Sequence, residues 1–473
     1  MDAERKIAMK KNVFVKDIIE KCNGQLICGN ENLICKNFCK DTRELQQGEI
    51  YVGIQGESFN GSTLYQQALE KGAVACLLQG VEIEEEILEK YPNATIVLVE
   101  DTVKALQQLA AYKRSLYNIP VIAITGSAGK TSTKDMIASV LSQKYKVLKT
   151  QGNYNNGLGL PLNILRLEDE EIMVLEMGMN SFGEISLLTN IAKPDVAVIT
   201  NIGTAHIGML GSRENILKAK LEILEGLNPN GTVVINNDND LLHNWYEQNK
   251  QNYHIMTYGF HLKSDTFGKN VTLKETGSTC DVTVQQKQYK VNIPVGGEHF
   301  VSNSLCAITV AGLFDIPMEE VLKGIEHLDL TAKRMEIKKS KIGSMIINDC
   351  YNANYDSMKA ALDYIGRLPN KRKIAVLGDM LELGEFSKKL HEKVGEEVAK
   401  NHIDILICVG EESKNIAKGA HENGVKTENI FHFPNNQEAI LFLKKELQQE
   451  DVVLIKASNG LHFSEICDAI CEA

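Results

Sequence analysis

The sequence has no stretch approaching the ~18 uninterrupted apolar residues that a membrane-spanning helix requires, so no membrane span or stable membrane insertion is expected. Basic residues are in deficit: 51 Lys and Arg against 62 Asp and Glu give a formal net charge of −11, which argues against a general nucleic-acid binder. Any phosphorylated ligand must then be met by local lysines and arginines. Paired C-x2-C knuckles are missing too. Eleven cysteines are scattered without regular spacing, and Cys22, Cys28, Cys35 and Cys39 cluster at separations that are not those of a zinc site. The opening residues MDAERKIAMKKNVFVKDI carry charge but no apolar core of signal-peptide length. With the odd cysteine count, this points to reduced thiols in the cytosol. No G-x-G-x-x-G fingerprint is present, which argues against a dinucleotide cofactor.

What is present is ordinary in bulk and specific in detail. An apolar fraction of 43% and a charged fraction of 24% are those of a globular protein, and 473 residues at about 150 per domain suggest three domains. The most informative stretch is Ile119 to Met136, IPVIAITGSAGKTSTKDM. Val121 to Ile124 form an apolar run of the length of a buried parallel strand. Gly126 and Gly129 then let the backbone turn tightly and approach an anion with its N–H groups, at the start of a helix expected over Thr131 to Tyr145. Lys130 supplies a mobile positive charge for terminal phosphates and Thr131 a hydroxyl suited to Mg²⁺. Thr125, Gly126, Ser127, Ala128, Gly129, Lys130 and Thr131 are thus the candidate phosphate loop. The usual G-x-x-x-x-G-K-[ST] pattern would put glycine at 124, where this chain has Ile124, so the motif is the shorter T-G-x-x-G-K-T.

Around this loop the chain alternates short apolar runs with helical segments, the pattern of an α/β protein. A small N-terminal α/β unit is read over 1–117, with strands in 49–56, 73–80 and 95–101. Asp41, Thr42 and Arg43 sit in a polar turn before its first strand, a place to hold a phosphate or a nucleobase edge, although a solvated turn uses the same residues. A central domain is read over 118–329. Glu176 ends the strand EIMVLEMG, where a phosphate-loop enzyme keeps a metal-holding carboxylate. His206 follows the strand DVAVITNI, on the edge where α/β sheets gather ligands; a structural histidine is the other reading. Asn153, Asn155 and Asn156, in NYNNGLGLP, can contact phosphates or sugars, as can any plain loop of that composition. Arg213 to Leu227 reads as one amphipathic helix with Ile216, Leu217, Leu221, Ile223 and Leu224 buried and Lys220 among the residues spread over the rest. A Rossmann-like domain of five strands is read over 330–473, with Asp349 and Asp379 at strand ends expected to face the central domain.

These motifs resemble, over essentially the whole chain, those of the Mur ligases of peptidoglycan synthesis. TGSAGKTSTKD is similar to the family's ATP loop, EMGMNSFGEI to its metal-binding strand end, TNIGTAHIGMLGS to its histidine motif and KAKLEI to its lysine motif. TAKRMEI with INDCYNANYDSM resembles the start of the third domain, and AVLGDMLELG with His391 points to the members that act on D-alanyl-D-alanine. The resemblance implies three domains, a UDP-sugar domain, an ATP domain and a Rossmann-like ligase domain, and ATP-dependent amide ligation of D-alanyl-D-alanine to UDP-N-acetylmuramoyl-tripeptide by a cytoplasmic monomer. It implies that Lys130 and Thr131 serve ATP and Mg²⁺, that Glu176 and His206 hold metal, and that Lys220 is the lysine carbamylated in related ligases. Asn303 is implied at the adenine, and Arg334 and Asp349 as third-domain residues reaching ATP, with closure hinged near 330–334. Third-residue-adding ligases, folate polyglutamylating enzymes and an inactive ATP-binding scaffold are the alternatives. Phe300, Tyr355, Gly157 and Asn459 depart from the family pattern.

Overall fold

Residues 11–472 are described by the computed structural model, so the reading of the opening segment falls in part on residues 1–10, outside the described residues. Local chemistry accounts for the elements that carry the site. Val121–Thr125 is a strand whose side chains are all buried, each large aliphatic one contributing about 1.5–3 kcal/mol relative to exposure. The helix after the loop runs Lys130–Leu141 and stops short of the expected Tyr145. At its end Ser142 Oγ donates back to the Ala138 carbonyl at 2.7 Å, competing with continuation of the helix. The helix is buried on nearly every side, from Thr131 to Leu141, rather than on one apolar stripe. It packs against the helices Glu298–Gly312 and Met318–Glu326. A Cβ at Gly324 would lie 2.7 Å from Val140 Cα, so the close approach of the last pair requires glycine.

The chain divides into two units. The first comprises residues up to 123, 145–196 and 222–231; the second comprises 124–144, 197–221 and 232–473. In the first, a five-stranded sheet runs in the order Gln25–Cys28, Thr95–Leu98, Ala75–Leu78, Ile50–Val52, Phe38–Cys39, antiparallel at its first pair and parallel thereafter. Helices Tyr65–Glu70 and Thr102–Ser115 belong to the same unit. The same unit holds Val147–Lys149 paired in parallel with Ile172–Glu176, Met173 opposite Leu148.

The second unit holds Thr232–Asn236, His254–Gly259 and Thr266–Lys274 as successive parallel neighbours. Gly277–Val284 and Lys287–Ile293 then continue as an antiparallel meander. Its C-terminal sheet has the order Glu336–Lys339, Met345–Asn348, Val452–Lys456, Lys373–Gly378, Ile405–Val409, Ile430–Phe433. The last five are the expected strands and are parallel. The first, EIKK, is an antiparallel edge strand with no apolar signature to reveal it. Asp349 and Asp379 each follow the C-terminal end of a parallel strand, the edge at which open α/β sheets bind ligands. Among the described residues, no helix is long and apolar enough to cross a membrane.

Candidate active site

The loop is held in shape by the strand end that follows Val196–Ile199. Asn201 accepts from Ser127 N at 3.1 Å through its carbonyl and from Ala128 N at 2.9 Å through Oδ1. Thr200 Oγ1 donates to the Ala128 carbonyl at 2.7 Å, and Ser127 Oγ accepts from Gly203 N at 2.9 Å. A Cβ on Gly126 would sit 1.9 Å from Thr200 Oγ1, so no other residue fits there. Gly129 has φ 78° and starts the helix. Lys130 Nζ folds back to donate to the Gly126 carbonyl at 2.7 Å.

A cavity of about 440 Å³ opens beside this loop within the second unit. Of the sequence-predicted residues it gathers Ala128, Gly129, Asn303, Arg334 and Asp349; Thr125, Gly126, Ser127, Lys130 and Thr131 do not line it. Asn303 is buried, accepts from Thr133 Oγ1 at 3.0 Å and keeps its Nδ2 donor unpartnered. Arg334 donates from NH2 to Thr131 Oγ1 at 2.9 Å, lies over the Tyr351 ring at 4.0 Å, and has a buried Nε without a partner. Vacant buried donors beside a positive loop suit a ligand that carries acceptors and negative charge. Asp349 does not stand free: its Oδ2 receives Lys456 Nζ at 2.6 Å and its Oδ1 receives Met335 N at 3.2 Å.

Two further residues of the second unit are placed differently from their sequence reading. The helix around Lys220 ends at Leu221 and passes into a tighter turn over Glu222–Gly226; Ala219, Lys220 and Ile223 are buried, whereas Leu217, Leu221 and Leu224 are half-buried. Lys220 is therefore a core lysine and not one spread over a solvated face. Its burial, and secondly the Lys130 charge, push its ammonium well below the ordinary lysine value. His206 has φ 62°, and its Nδ1 lies 2.9 Å from Glu382 Oε2, an interaction that holds the Glu382 carboxyl below its usual range. Asp379 accepts from Ser413 N at 2.7 Å and is turned to the neighbouring strand end. His391 is buried, accepts from Met380 N at 2.9 Å and fixes the turn that carries Glu382.

In the first unit Glu176 is buried, with Oε1 accepting from Asn155 Nδ2 at 2.8 Å and Oε2 left without a partner. The three asparagines thus separate: Asn155 orients Glu176, Asn156 Oδ1 accepts from Gly159 N at 2.9 Å, and Asn153 is exposed. In the polar turn, Arg43 grips Asp41 in a fork with bonds of 2.6 to 3.2 Å and holds its carboxyl down at about 2. Thr42 is buried and spends its hydroxyl on Gln67 at 2.7 Å. The four clustered cysteines are free thiols; burial pushes Cys22 up to about 11 and Cys35 to about 12.

The departures find local uses. Phe300 is buried with its ring 4.5 Å from that of His299 and lines the cavity. Tyr355 begins a helix capped by Asn354 and donates to Glu397 Oε1 at 3.2 Å. Gly157 gives its carbonyl to Gln107, while Asn459 is exposed. Sequence reasoning missed Asn201, His299, Lys456 and Asp356. Asp356 Oδ2 accepts from Thr204 N at 2.7 Å and from its hydroxyl at 2.9 Å, and a Cβ at Gly203 would collide with that carboxylate. The signal that was available for Asp356 is its place in the first turn after a capping asparagine.

Residues 124–311 match the Mur ligase middle domain, and residues 333–459 match the Mur ligase, glutamate ligase domain. A UDP-N-acetylmuramoyl-tripeptide–D-alanyl-D-alanine ligase of Bacillus subtilis (strain 168) is 39% identical over 463 residues, covering 97% of this chain and 98% of that protein. The chain belongs to the Mur ligase family. Among solved Mur ligases, a crystal structure of MurF from Acinetobacter baumannii superposes with a TM-score of 0.86 at 29% identity, covering 98% of this chain and all of that one. MurF of Thermotoga maritima in complex with ADP gives 0.79 at 28% identity, over 92% and 97% of the two chains. The fold is accordingly that of a Mur ligase, mixed α/β with parallel sheets in an N-terminal, a middle and a C-terminal part.

Proposed function

We propose that this chain joins D-alanyl-D-alanine to UDP-N-acetylmuramoyl-tripeptide at the expense of ATP, giving the pentapeptide precursor, ADP and phosphate. The observation that carries the reading is the cavity on which the glycine loop, Asn303, Arg334 and Asp349 converge. A carboxylate is a poor acyl donor. An oxygen of the tripeptide's terminal carboxylate therefore attacks the γ-phosphorus, ADP leaves, and an acyl phosphate results. The amine of the dipeptide then attacks the acyl carbon through a tetrahedral intermediate, and phosphate departs. The first step is phosphoryl transfer, which asks for positioning and charge neutralisation rather than covalent help. Lys130 and Arg334 supply cationic groups for it, and the vacant Asn303 Nδ2 is suited to an acceptor on adenine.

Mg²⁺ fits the donors available: Glu176 presents a buried carboxylate oxygen with no partner, which a hard cation would satisfy. Glu176 in the first unit and, taken by themselves, Thr131 and His206 in the second are the residues that would serve as metal ligands, and the metal would supply positive charge. Burial, which lowers the Lys220 value, favours the neutral amine, the form that reacts with CO₂ to a carbamate, which would add a fixed negative charge. The UDP-sugar is assigned to the N-terminal domain, 1–117, with Asp41, Thr42, Arg43 and the asparagines Asn153, Asn155 and Asn156 as its contacts. The ATP domain is 118–329 and the ligase domain 330–473. The chain is taken to work as a monomer in the cytosol, and a single protomer mass in sedimentation checks the first of these.

ADP release, measured with UDP-muramoyl-tripeptide and D-alanyl-D-alanine supplied singly and together, tests the reaction. Turnover only with both is expected. Turnover with glutamate or diaminopimelate, and none with the dipeptide, would overturn the assignment.

A further inference from the structure

We propose that Asp135 is a positioning residue for Arg334, acting through the linker residue Thr331. Thr131 and Asp135 are four residues apart on the helix Lys130–Leu141, and therefore lie one above the other on the same face. Asp135 is buried, and its Oδ2 accepts from both the amide of Thr331, at 2.9 Å, and the hydroxyl of Thr331, at 2.8 Å. Three residues further along, Arg334 NH2 reaches Thr131 Oγ1 at 2.9 Å. The linker is thus seated at two points on one helix face.

The chain between the two anchors is longer than the gap it crosses. Three residues span at most about 10 Å when extended, and the rise of four helical residues separates the two anchors by about 6 Å along the axis. The segment takes up the difference by bending: Lys333 has φ 64° and Met335 φ 47°, so non-glycine residues in the left-handed region flank Arg334 on both sides. Such a conformation persists only where its surroundings over-determine it. Tyr351 N donates to the Lys333 carbonyl at 3.2 Å, Met335 N donates to Asp349 Oδ1 at 3.2 Å, and the guanidinium rests on the Tyr351 ring. These contacts set the downstream side. The Asp135–Thr331 pair sets the upstream side, and the helix that begins with Lys130 and Thr131 thereby also fixes where the Arg334 charge enters the cavity.

The role of Arg334 as a phosphate-facing cation rests on the function proposed above; the nucleotide-binding test does not require the peptide substrates. Binding of a non-hydrolysable ATP analogue with Mg²⁺ is measured by calorimetry on the full chain carrying Thr331→Val, Thr331→Ser, Arg334→Met, and Thr331→Val with Arg334→Met. Thr331→Val removes a hydrogen bond to a carboxylate and is expected to weaken binding about tenfold. Thr331→Ser, which keeps the hydroxyl, should bind as the parent does. In the Arg334→Met background Thr331→Val should add nothing. Unchanged affinity in Thr331→Val, or an equal loss in both backgrounds, would overturn the proposal. Analogue binding without ligation by the unaltered chain would refute the proposed reaction and leave this inference standing.

Discussion

Asn155 donates from Nδ2 to one carboxylate oxygen of Glu176 at 2.8 Å, and the second oxygen, Oε2, is buried with no partner. Leaving a buried acceptor unpaired costs about 1–3 kcal/mol, more for a charged group, so the arrangement is adapted to something other than stability. The half that is bonded fixes the direction of the half that is not. Glu176→Gln, which keeps the shape and removes the charge, should leave the denaturation midpoint unchanged or raise it while reducing turnover. Asn155→Ala should cost about 10–100-fold, as loss of a group that orients a metal ligand does, with the loss eased at high Mg²⁺. Kinetics over a Mg²⁺ series decide it: full activity in Glu176→Gln would remove this carboxylate from the reaction.

Lys220 carries a pH signature of known sign. Burial lowers its value in the folded chain, so between that value and the ordinary one near 10.5 the unfolded chain binds more protons than the folded one. Stability contributed by this group therefore rises with pH across that window, by at most about 1.4 kcal/mol per unit, and the penalty is greatest below it. Denaturation of the unaltered chain at pH 7 and pH 9, set against Lys220→Met, isolates the term: the difference between the two proteins should shrink as pH rises. Bicarbonate enriched in ¹³C should give a carbamate resonance that Lys220→Met lacks. A pH-independent difference would show that the lysine is charged in the folded state.

Much of the site was legible because its signals are local. Val121 to Ile124 announce a buried strand, and Gly126, Gly129, Lys130 and Thr131 follow within one turn, so neighbours in sequence are neighbours in space. Glu176 ends a recognisable strand, Ile172–Glu176, and His206 lies a short way beyond another, Val196–Ile199, so both positions were readable from the strand pattern. The burial of Lys220 was not, because helical periodicity assigns leucines to the core and lysines to water. Here Leu217 and Leu221 are half-buried while Lys220 is enclosed. The edge strand Glu336–Lys339 was hidden by its charge. Lys333 and Met335 gave no hint of a left-handed backbone, since neither is Gly, Asn or Asp; tertiary contacts from Tyr351 and Asp349 impose it. Asp135 reads as one more polar residue in a helix, and only the fold brings Thr331, 196 residues away, onto it.

Lys456 and Asp349 make a buried ion pair that joins the C-terminal ends of adjacent parallel strands, Met345–Asn348 and Val452–Lys456. Lys456 Nζ donates to Asp349 Oδ2 at 2.6 Å, to the Asn352 carbonyl at 3.0 Å and to the Asp349 carbonyl at 3.3 Å. Desolvating two charges offsets most of their attraction, so the pair itself adds little net stability, but breaking it strands a charge. Lys456→Met should therefore destabilise by about 3–5 kcal/mol, because the Asp349 carboxylate stays buried beside Met335 N without its cation. Asp349→Asn in the Lys456→Met background removes the stranded charge and should recover a substantial part of that loss. Denaturant midpoints of the two single variants and the double variant form a cycle that measures the coupling. Additive losses would mean that the two side chains are solvated independently and that Asp349 is oriented by Met335 N alone.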